Sequence, residues 1–371
     1  MKANTINALS NAALFGSLLL VPLLAEQLGA SPSQIGIIVA AYALSNFVSS
    51  YIFGRLADVH GRRVFLIAGL VLSSVACAIQ YLATDTLSLL ITRILLGFAA
   101  GIFPAALMAY AYESKTSMTK FMAWGSGGWG VGTLVAGFTA TWFTIKEPFL
   151  FTALLMALNI PIAMKIRFRK EKKMSVPFFP TAIIKKNIEI YGPVLVRHTG
   201  ACAIWVMFPM FIREMKGAEG VLFFWVGVMY AINSFSQFIF MRYLRYKSSV
   251  LVPWGMVASS VTFLLFIICH DVWTLMAAQV VLALSWALIY VGSVNFVMAN
   301  NRERATATGF LNSTLQISSI LGALAGGFII DATGDLLAPM WLASGMAVAG
   351  LVLYYPLRMH RLAKRKKVMV S

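Results

Sequence analysis

Two arginines stand inside runs that are otherwise almost wholly apolar: Arg93 in "LSLLITRILLGFAAG" and Arg197 in "YGPVLVRHTGACAIWV". A guanidinium presents a planar fork of donors that matches a carboxylate. A charge inside a membrane segment is costly and usually functional. One reading is therefore that both arginines hold an anionic or carboxylate-bearing ligand. The other is that each reaches the interface along its own stem, or bonds to helix-end carbonyls. His198 follows Arg197, and histidine is the side chain that titrates nearest neutral pH. It is a candidate proton carrier or a plain hydrogen-bonding residue. Neutral candidates join them. Asn4, Asn7 and Asn11 recur on one face of a helix, and Trp205, Trp286, Asn295, Asn233 and Gln237 lie in later apolar runs. Amides and indoles suit polar or aromatic ligands, and equally suit helix–helix hydrogen bonds and interfacial positions.

No enzyme chemistry is legible. The acids Glu26, Glu113, Glu189 and Asp331 lie near the ends of apolar runs, and no acid falls in the middle of one. A nucleophile, base and acid are nowhere grouped inside these runs. No G-x-x-x-x-G-K-[ST] phosphate loop occurs, so the chain holds no nucleotide-driven pump of its own. Cys77, Cys202 and Cys269 show neither metal spacing nor a disulfide framework and read as small buried hydrophobes. No cofactor is expected.

What must position these residues is a bilayer-spanning scaffold. Of the 371 residues, 60% are hydrophobic and 12% charged, half the charge of a soluble domain. Crossing the hydrocarbon core takes about 20 apolar residues in a helix. Runs of that length occur near 5–25, 34–54, 64–83, 87–110, 118–143, 148–168, 190–212, 220–241, 249–269, 273–298, 306–330 and 337–357. This predicts an all-α polytopic membrane protein of twelve transmembrane helices. The first run is too long for a signal peptide and carries asparagines on its face, so it is expected to be retained.

Lysine and arginine orient the chain. Twenty-five of the thirty bases fall in the even-numbered gaps or at the two ends. The odd gaps hold Lys146, Arg213 and Lys216, and the two remaining bases are Arg93 and Arg197. Both termini are therefore expected in the cytoplasm, with the chain in the cell membrane. This asymmetry also accounts for most of the net charge of +17 without nucleic acid. The polar stretch "RFRKEKKMSVPFFPTAIIKKN" divides the runs six and six. "SYIFGRL" from Ser50 aligns with "QFIFMRY" from Gln237, and "GTLVAGF" from Gly132 with "GALAGGF" from Gly322. The expected organisation is two parallel six-helix repeats, as in many transporters: residues 1–168, a basic cytoplasmic linker 169–187, and residues 188–371 with a basic tail.

Between the second and third runs stands "FGRLADVHGRR". Gly54, Asp58, Gly61, Arg62 and Arg63 match the G-x-x-x-D-x-x-G-R-R signature of the major facilitator superfamily, which the chain resembles over its full length. Val59 takes the place where the commonest pattern has a base. "RILLGFAAG" resembles the family's R-x-x-x-G pattern in helix 4, with Arg93, Gly97 and Gly101 on one face. "GVGTLVAG" resembles the G-x-G-P-x-x-G-G run of its drug/proton antiporters, with Thr133 for the proline and Ala136 for a glycine. The resemblance implies a secondary transporter working by alternating access. It implies that Asp58 latches the N-terminal half to helix 11, that Arg62 reaches Glu113, and that helices 1, 4, 7 and 10 line the cavity. The expected partners are a small-molecule substrate, anionic or polar, a coupling proton or ion, and the lipid bilayer, with the protein a monomer. Two alternatives stay open: a proton-coupled multidrug exporter, and a non-transporting sensor on the same fold.

Overall fold

Lipid offers the backbone no hydrogen-bond partners, so apolar runs of spanning length close their bonds internally as helices. The computed structural model of the protein describes residues 1–166, 181–244, 247–301 and 304–370, without the side chains at 55, 58–60, 113, 304–305 and 364–370. In chain order the helices are α1 (Lys2–Leu19), α2 (Val21–Gln27), α3 (Pro32–His60), α4 (Arg62–Ile79), α5 (Thr86–Ile102), α6 (Pro104–Glu113), α7 (Met118–Trp142), α8 (Glu147–Met164), α9 (Thr181–Arg213), α10 (Leu222–Tyr243), α11 (Ser248–Ile268), α12 (Val272–Asn300), α13 (Arg304–Thr333) and α14 (Ala338–Val370). A short 3-10 turn, Gln80–Leu82, extends α4. The pairs α1–α2 and α5–α6 each make one span, so the twelve expected spans are present. Among the described residues, eleven helical segments are long and apolar enough to cross a membrane. The remaining span is α7, a run with six glycines.

Three features differ from the sequence expectation. The first span breaks at Leu20 and the fourth at Phe103, each just before a helix with proline in its first turn (Pro22, Pro104). Proline lacks the amide donor and crowds the preceding turn. The third difference is α9. It begins at Thr181, well before the expected 190, so Arg197 lies sixteen residues from either end. At 1.5 Å per residue that is about 24 Å from each helix end, and its guanidinium bonds inward to Ser259 and Ser285.

Side-chain caps fix several helix starts. Ser31 and Gln34 form a reciprocal box at the start of α3. Asp85 accepts from the amides of Leu87 and Ser88 at 2.9 Å each, and Asp271 from those of Trp273 and Thr274 at 2.9 Å each. These bonds, the one to Ser88 leading at Asp85 and the one to Thr274 leading at Asp271, hold both carboxyls below the usual carboxylate range. Gly61 separates α3 from α4 with φ of 107°, a conformation that disfavours any side chain.

The first six spans pack among themselves chiefly through α1 on α7 and α8, α3 on α5, and α4 on α8. The last six do so through α9 on α13 and α14, and α11 on α12 and α14. Two seams join the groups, α7 on α10 and α3 on α13. The face holding the chain ends is called here the termini face, and the opposite one the far face. At the far face one continuous core takes residues from both groups, including Leu23, Ile35 and Phe149 with Phe208, Phe266 and Ala323. At the termini face the clusters belong to one group or the other: one around Leu66, Leu107 and Phe121 in the first, and two in the second, around Ile190, Met256 and Leu311 and around Met241 and Leu251, with Met122 of α7 packed against the Ile190 cluster.

Candidate functional site

The far face is closed by polar clasps above the shared core. Arg213, the last residue of α9, donates to Glu26 of α2 through Nη1 at 3.0 Å and Nη2 at 2.5 Å. The amide of Ser33, at the start of α3, donates to Asp331 Oδ2 of α13 at 3.0 Å. Deeper along the same seam, Gln316 Nε2 donates to Asn46 Oδ1 at 3.1 Å.

The seam between α7 and α10 depends on glycine. A Cβ on Gly137 would lie 2.5 Å from the Phe223 carbonyl oxygen and 2.7 Å from Gly227 Cα, so only glycine lets the backbones come this close. Towards the termini face the same seam widens to side-chain contacts: Phe235 lies on Gly130 and Phe238 on Gly127. Gly128 and Gly132 face the other way and admit the α1 backbone at Ala8 and Ala12.

At the termini face the groups part. A cleft of 890 Å³ lies between Tyr112, Lys115, Thr116, Met118 and Thr119 on one side and Asn295, Met298 and Ala299 of α12 on the other. Asn295, one of the sequence candidates, is on its wall.

The remaining candidates divide between the groups. Asn7 donates to the Phe121 carbonyl at 2.7 Å, which ties α1 to α7, and Asn11 donates to the Asn7 carbonyl at 2.7 Å within α1. Arg93 is fully buried among the first six spans. Its Nη1 donates to Gln80 Oε1 at 2.9 Å and lies 3.4 Å from Ser17 Oγ. The Tyr42 ring covers its guanidinium at 4.2 Å. Gly97 and Gly101, on the same face of the span, take the α3 backbone at Tyr42 and Asn46.

Arg197 is 2% exposed and sits among α9, α11 and α12. Its Nε donates to Ser259 Oγ at 2.8 Å and its Nη2 to Ser285 Oγ at 3.3 Å. His198 stacks on Trp286, with centroids 4.8 Å apart and planes at 22°. Trp286 stacks on Tyr290 at 5.3 Å and 13°. Trp205 lies nearer the far face, tilted against Tyr230 at 5.2 Å. Gln237 Nε2 donates to Asn233 Oδ1 at 2.6 Å, and Asn233 Nδ2 to the Gln279 carbonyl at 3.2 Å. The two amides thus form a buried tie between α10 and α12.

Of the loop motif, Gly54 lies in ordinary contact with Ala105 Cβ, and Gly61 makes the turn. Arg62 opens α4. Arg63 Nη2 donates to the Met164 carbonyl at 2.9 Å, joining α4 to the end of α8. The side chains of Asp58 and Glu113 lie outside the described residues.

Sequence reasoning passed over the Glu26–Arg213 clasp. A signal for it was present. The two residues are 187 positions apart, the same offset that aligns the two repeats, so they are equivalent ends of the first and seventh spans. Arg213 is also one of only three bases in the odd gaps.

Comparison with known proteins adds kinship to this geometry. A family model described as Major Facilitator Superfamily matches residues 3–185 and 194–369. The chain is 25% identical over 366 residues to the quinolone resistance protein NorA of Staphylococcus aureus (strain COL), covering 94% of this chain and 93% of that one. It is 23% identical over 351 residues to an uncharacterized MFS-type transporter of Methanocaldococcus jannaschii, covering 89% and 90%. Among solved structures, a point mutant of the nucleoside transporter NupG superimposes with a TM-score of 0.77 at 14% identity, over 96% of this chain and 98% of that chain.

Proposed function

The chain belongs to the Major Facilitator Superfamily and is a secondary transporter; we propose that it exports a small organic solute, polar or anionic, by alternating access. The observation that carries this reading is the asymmetry between the two faces. One core and the clasps bind the halves at the far face, while at the termini face the buried clusters each belong to one half, linked there by Met122, and the 890 Å³ cleft lies between the halves. Rocking about the two seams would exchange which face is open. The excess of lysine and arginine on the termini side supports a cytoplasmic location for both ends, which makes this the inward-open state. Each half, 1–168 and 188–371, moves as one bundle in this reading, and a monomer suffices.

Export rather than import is supported by the full-length kinship to a quinolone resistance protein. The same kinship favours a second reading, broad-specificity drug export driven by protons. No acid lies mid-span to carry such a proton, which leaves His198 as the titratable candidate. The Asp58 latch of the family signature is part of the proposal, closing the cytoplasmic face in the opposite state with Arg62 and Glu113.

The test is flux in proteoliposomes under an imposed pH gradient, with organic acids, nucleosides and cationic dyes as separate cargoes. Gradient-dependent accumulation of at least one cargo is expected. The Asp58→Asn variant should lower that flux several-fold while ligand-induced thermal stabilisation is retained. No movement of any cargo would favour a sensor on the same fold; unchanged flux in the variant would remove the latch.

A further inference from the structure

Resting on the transporter reading, we propose that Arg197 and the ring stack of His198, Trp286 and Tyr290 form a subsite for a planar aromatic carboxylate. Arg197 is the starting point. It sits at the midpoint of a 33-residue helix and is 2% exposed. Its two hydrogen-bond partners, Ser259 and Ser285, are neutral. The rings of Phe263 and Trp286 lie 5.3 and 5.4 Å from its Cζ. Rings of this kind attract the cation but leave the charge uncompensated. The nearest acid on its own helix is Glu189, eight residues away and already paired with Arg361. Among the described residues no carboxylate forms an ion pair with Arg197, and its Nη1 makes no hydrogen bond. A lone buried cation is strongly disfavoured in a membrane. An acidic group arriving with the substrate would compensate it through charge-assisted bonds.

The second observation concerns shape. His198, Trp286 and Tyr290 are each half-buried, so the stack keeps some exposed ring surface. Their planes are near parallel, at 22° and 13° in turn. Such a platform accepts a further flat ring by offset stacking. His198 Nδ1 is buried without a partner and supplies a polar contact beside the rings. Further along α12, Asn295, Met298 and Ala299 line the open cleft, so one helix carries both the platform and a wall of the cleft.

Among the described residues Arg93 likewise has no carboxylate partner, and its Nε and Nη2 are buried without hydrogen bonds, but it lacks the ring stack. Tyr42 covers its flat face, Gln80 occupies Nη1, and it is fully buried. No open ring platform adjoins it. The two arginines look alike in sequence, yet among the described residues only Arg197 adjoins a half-buried stack of rings.

The experiment uses the full chain in detergent with 2-naphthoate as probe, followed by tryptophan quenching and thermal shift. Naphthalene-2-methanol removes the charge and cyclohexanecarboxylate removes the flat ring. The expected result is that naphthoate binds at least tenfold more tightly than either analogue. Arg197→Gln should weaken naphthoate at least tenfold, with partial recovery in Arg197→Lys. Trp286→Leu should weaken naphthoate but leave cyclohexanecarboxylate unchanged. Equal binding of naphthoate and naphthalene-2-methanol to the wild type would overturn the proposal, and that comparison stands even if Arg197→Gln fails to fold. Wild-type affinity in a folded Arg197→Gln variant would overturn it as well. Gradient-driven flux of a nucleoside without naphthoate binding would refute the subsite and leave the export reading intact. Naphthoate binding without flux of any cargo would do the reverse.

Discussion

Glu26→Gln should release the far face. Glu26 and Arg213 join the first and seventh spans by two parallel bonds, so the pair exists only while the far ends of the halves are together. Arg213 is 44% exposed and Glu26 36%, which places the pair in the surface class, worth about 0.2–1 kcal/mol. The paired geometry argues for the upper end. A loss of about 1 kcal/mol changes the ratio of the two conformers by about fivefold. The bond from Ser33 to Asp331 and the apolar core below remain, so the far face should loosen without the protein unfolding. Spin labels on Thr84→Cys and Lys216→Cys, both exposed at the far face, would report the separation. The native cysteines are buried and should label poorly. In Glu26→Gln the long-distance population should rise about fivefold relative to the short one. Salt at 1 M should produce most of that change in the wild type and little more in the variant, because exposed pairs are screened within ~3 Å. The exchanged pair Glu26→Arg with Arg213→Glu should restore the short distance. An unchanged distance distribution in folded Glu26→Gln would refute the clasp as a determinant of the conformational balance.

Two further outcomes follow from polar contacts outside the cleft. Glu189→Gln should destabilise the fold by about 2 kcal/mol, below the range for fully buried pairs, because Arg361 keeps Asn300 and the Phe296 ring; chemical denaturation in detergent would measure it, and no loss would refute the contact. The N-cap carboxyls Asp85 and Asp271 are held below their usual range, so their contribution is full above the unfolded carboxylate range and fades as pH falls through the lower folded values. The thermal midpoint should therefore drop less on acidification below about pH 4 in the Asp85→Ala, Asp271→Ala double variant than in the wild type, and parallel pH profiles would contradict the capping role.

The spans were legible because length and apolarity suffice to define them. Their interruptions were not, and proline explains why. Pro22 and Pro104 stand at breaks, yet Pro161, Pro193, Pro209, Pro253 and Pro356 lie inside continuous helices. Neighbouring helices can satisfy the freed carbonyls, so residue type alone does not separate the two outcomes. The start of α9 was hidden for a related reason. "TAIIKKNIEI" looks like the end of a polar linker, but Asn187 exchanges amide bonds with Asn301 and Glu189 pairs with Arg361. Those partners are more than a hundred residues away, and they turn a polar stretch into packed helix. The place of Arg197 along its helix could not be judged without that correction. Its difference from Arg93 was hidden in turn, because it depends on which rings the fold brings alongside.

The two kinds of contact between the halves are suited to different work. Within the membrane the seams are built chiefly from glycine, alanine and aromatic contacts, with the bonds from Gln316 to Asn46 and from Ser126 to Met241 Sδ among them. Close packing of this kind has little directional preference, so helices can roll on one another and lose little contact. The clasp at Glu26 and Arg213 is directional and half-exposed; a small rotation removes both bonds, and water then solvates both charges. A rocking cycle needs seams that persist and clasps that break. The clasp must also be weak, because a pair worth far more than the surface range would trap the state in which the far face is closed. Exposure of both partners keeps it weak, and their equivalence in the two repeats brings them face to face across the pseudo-symmetry axis that relates the halves.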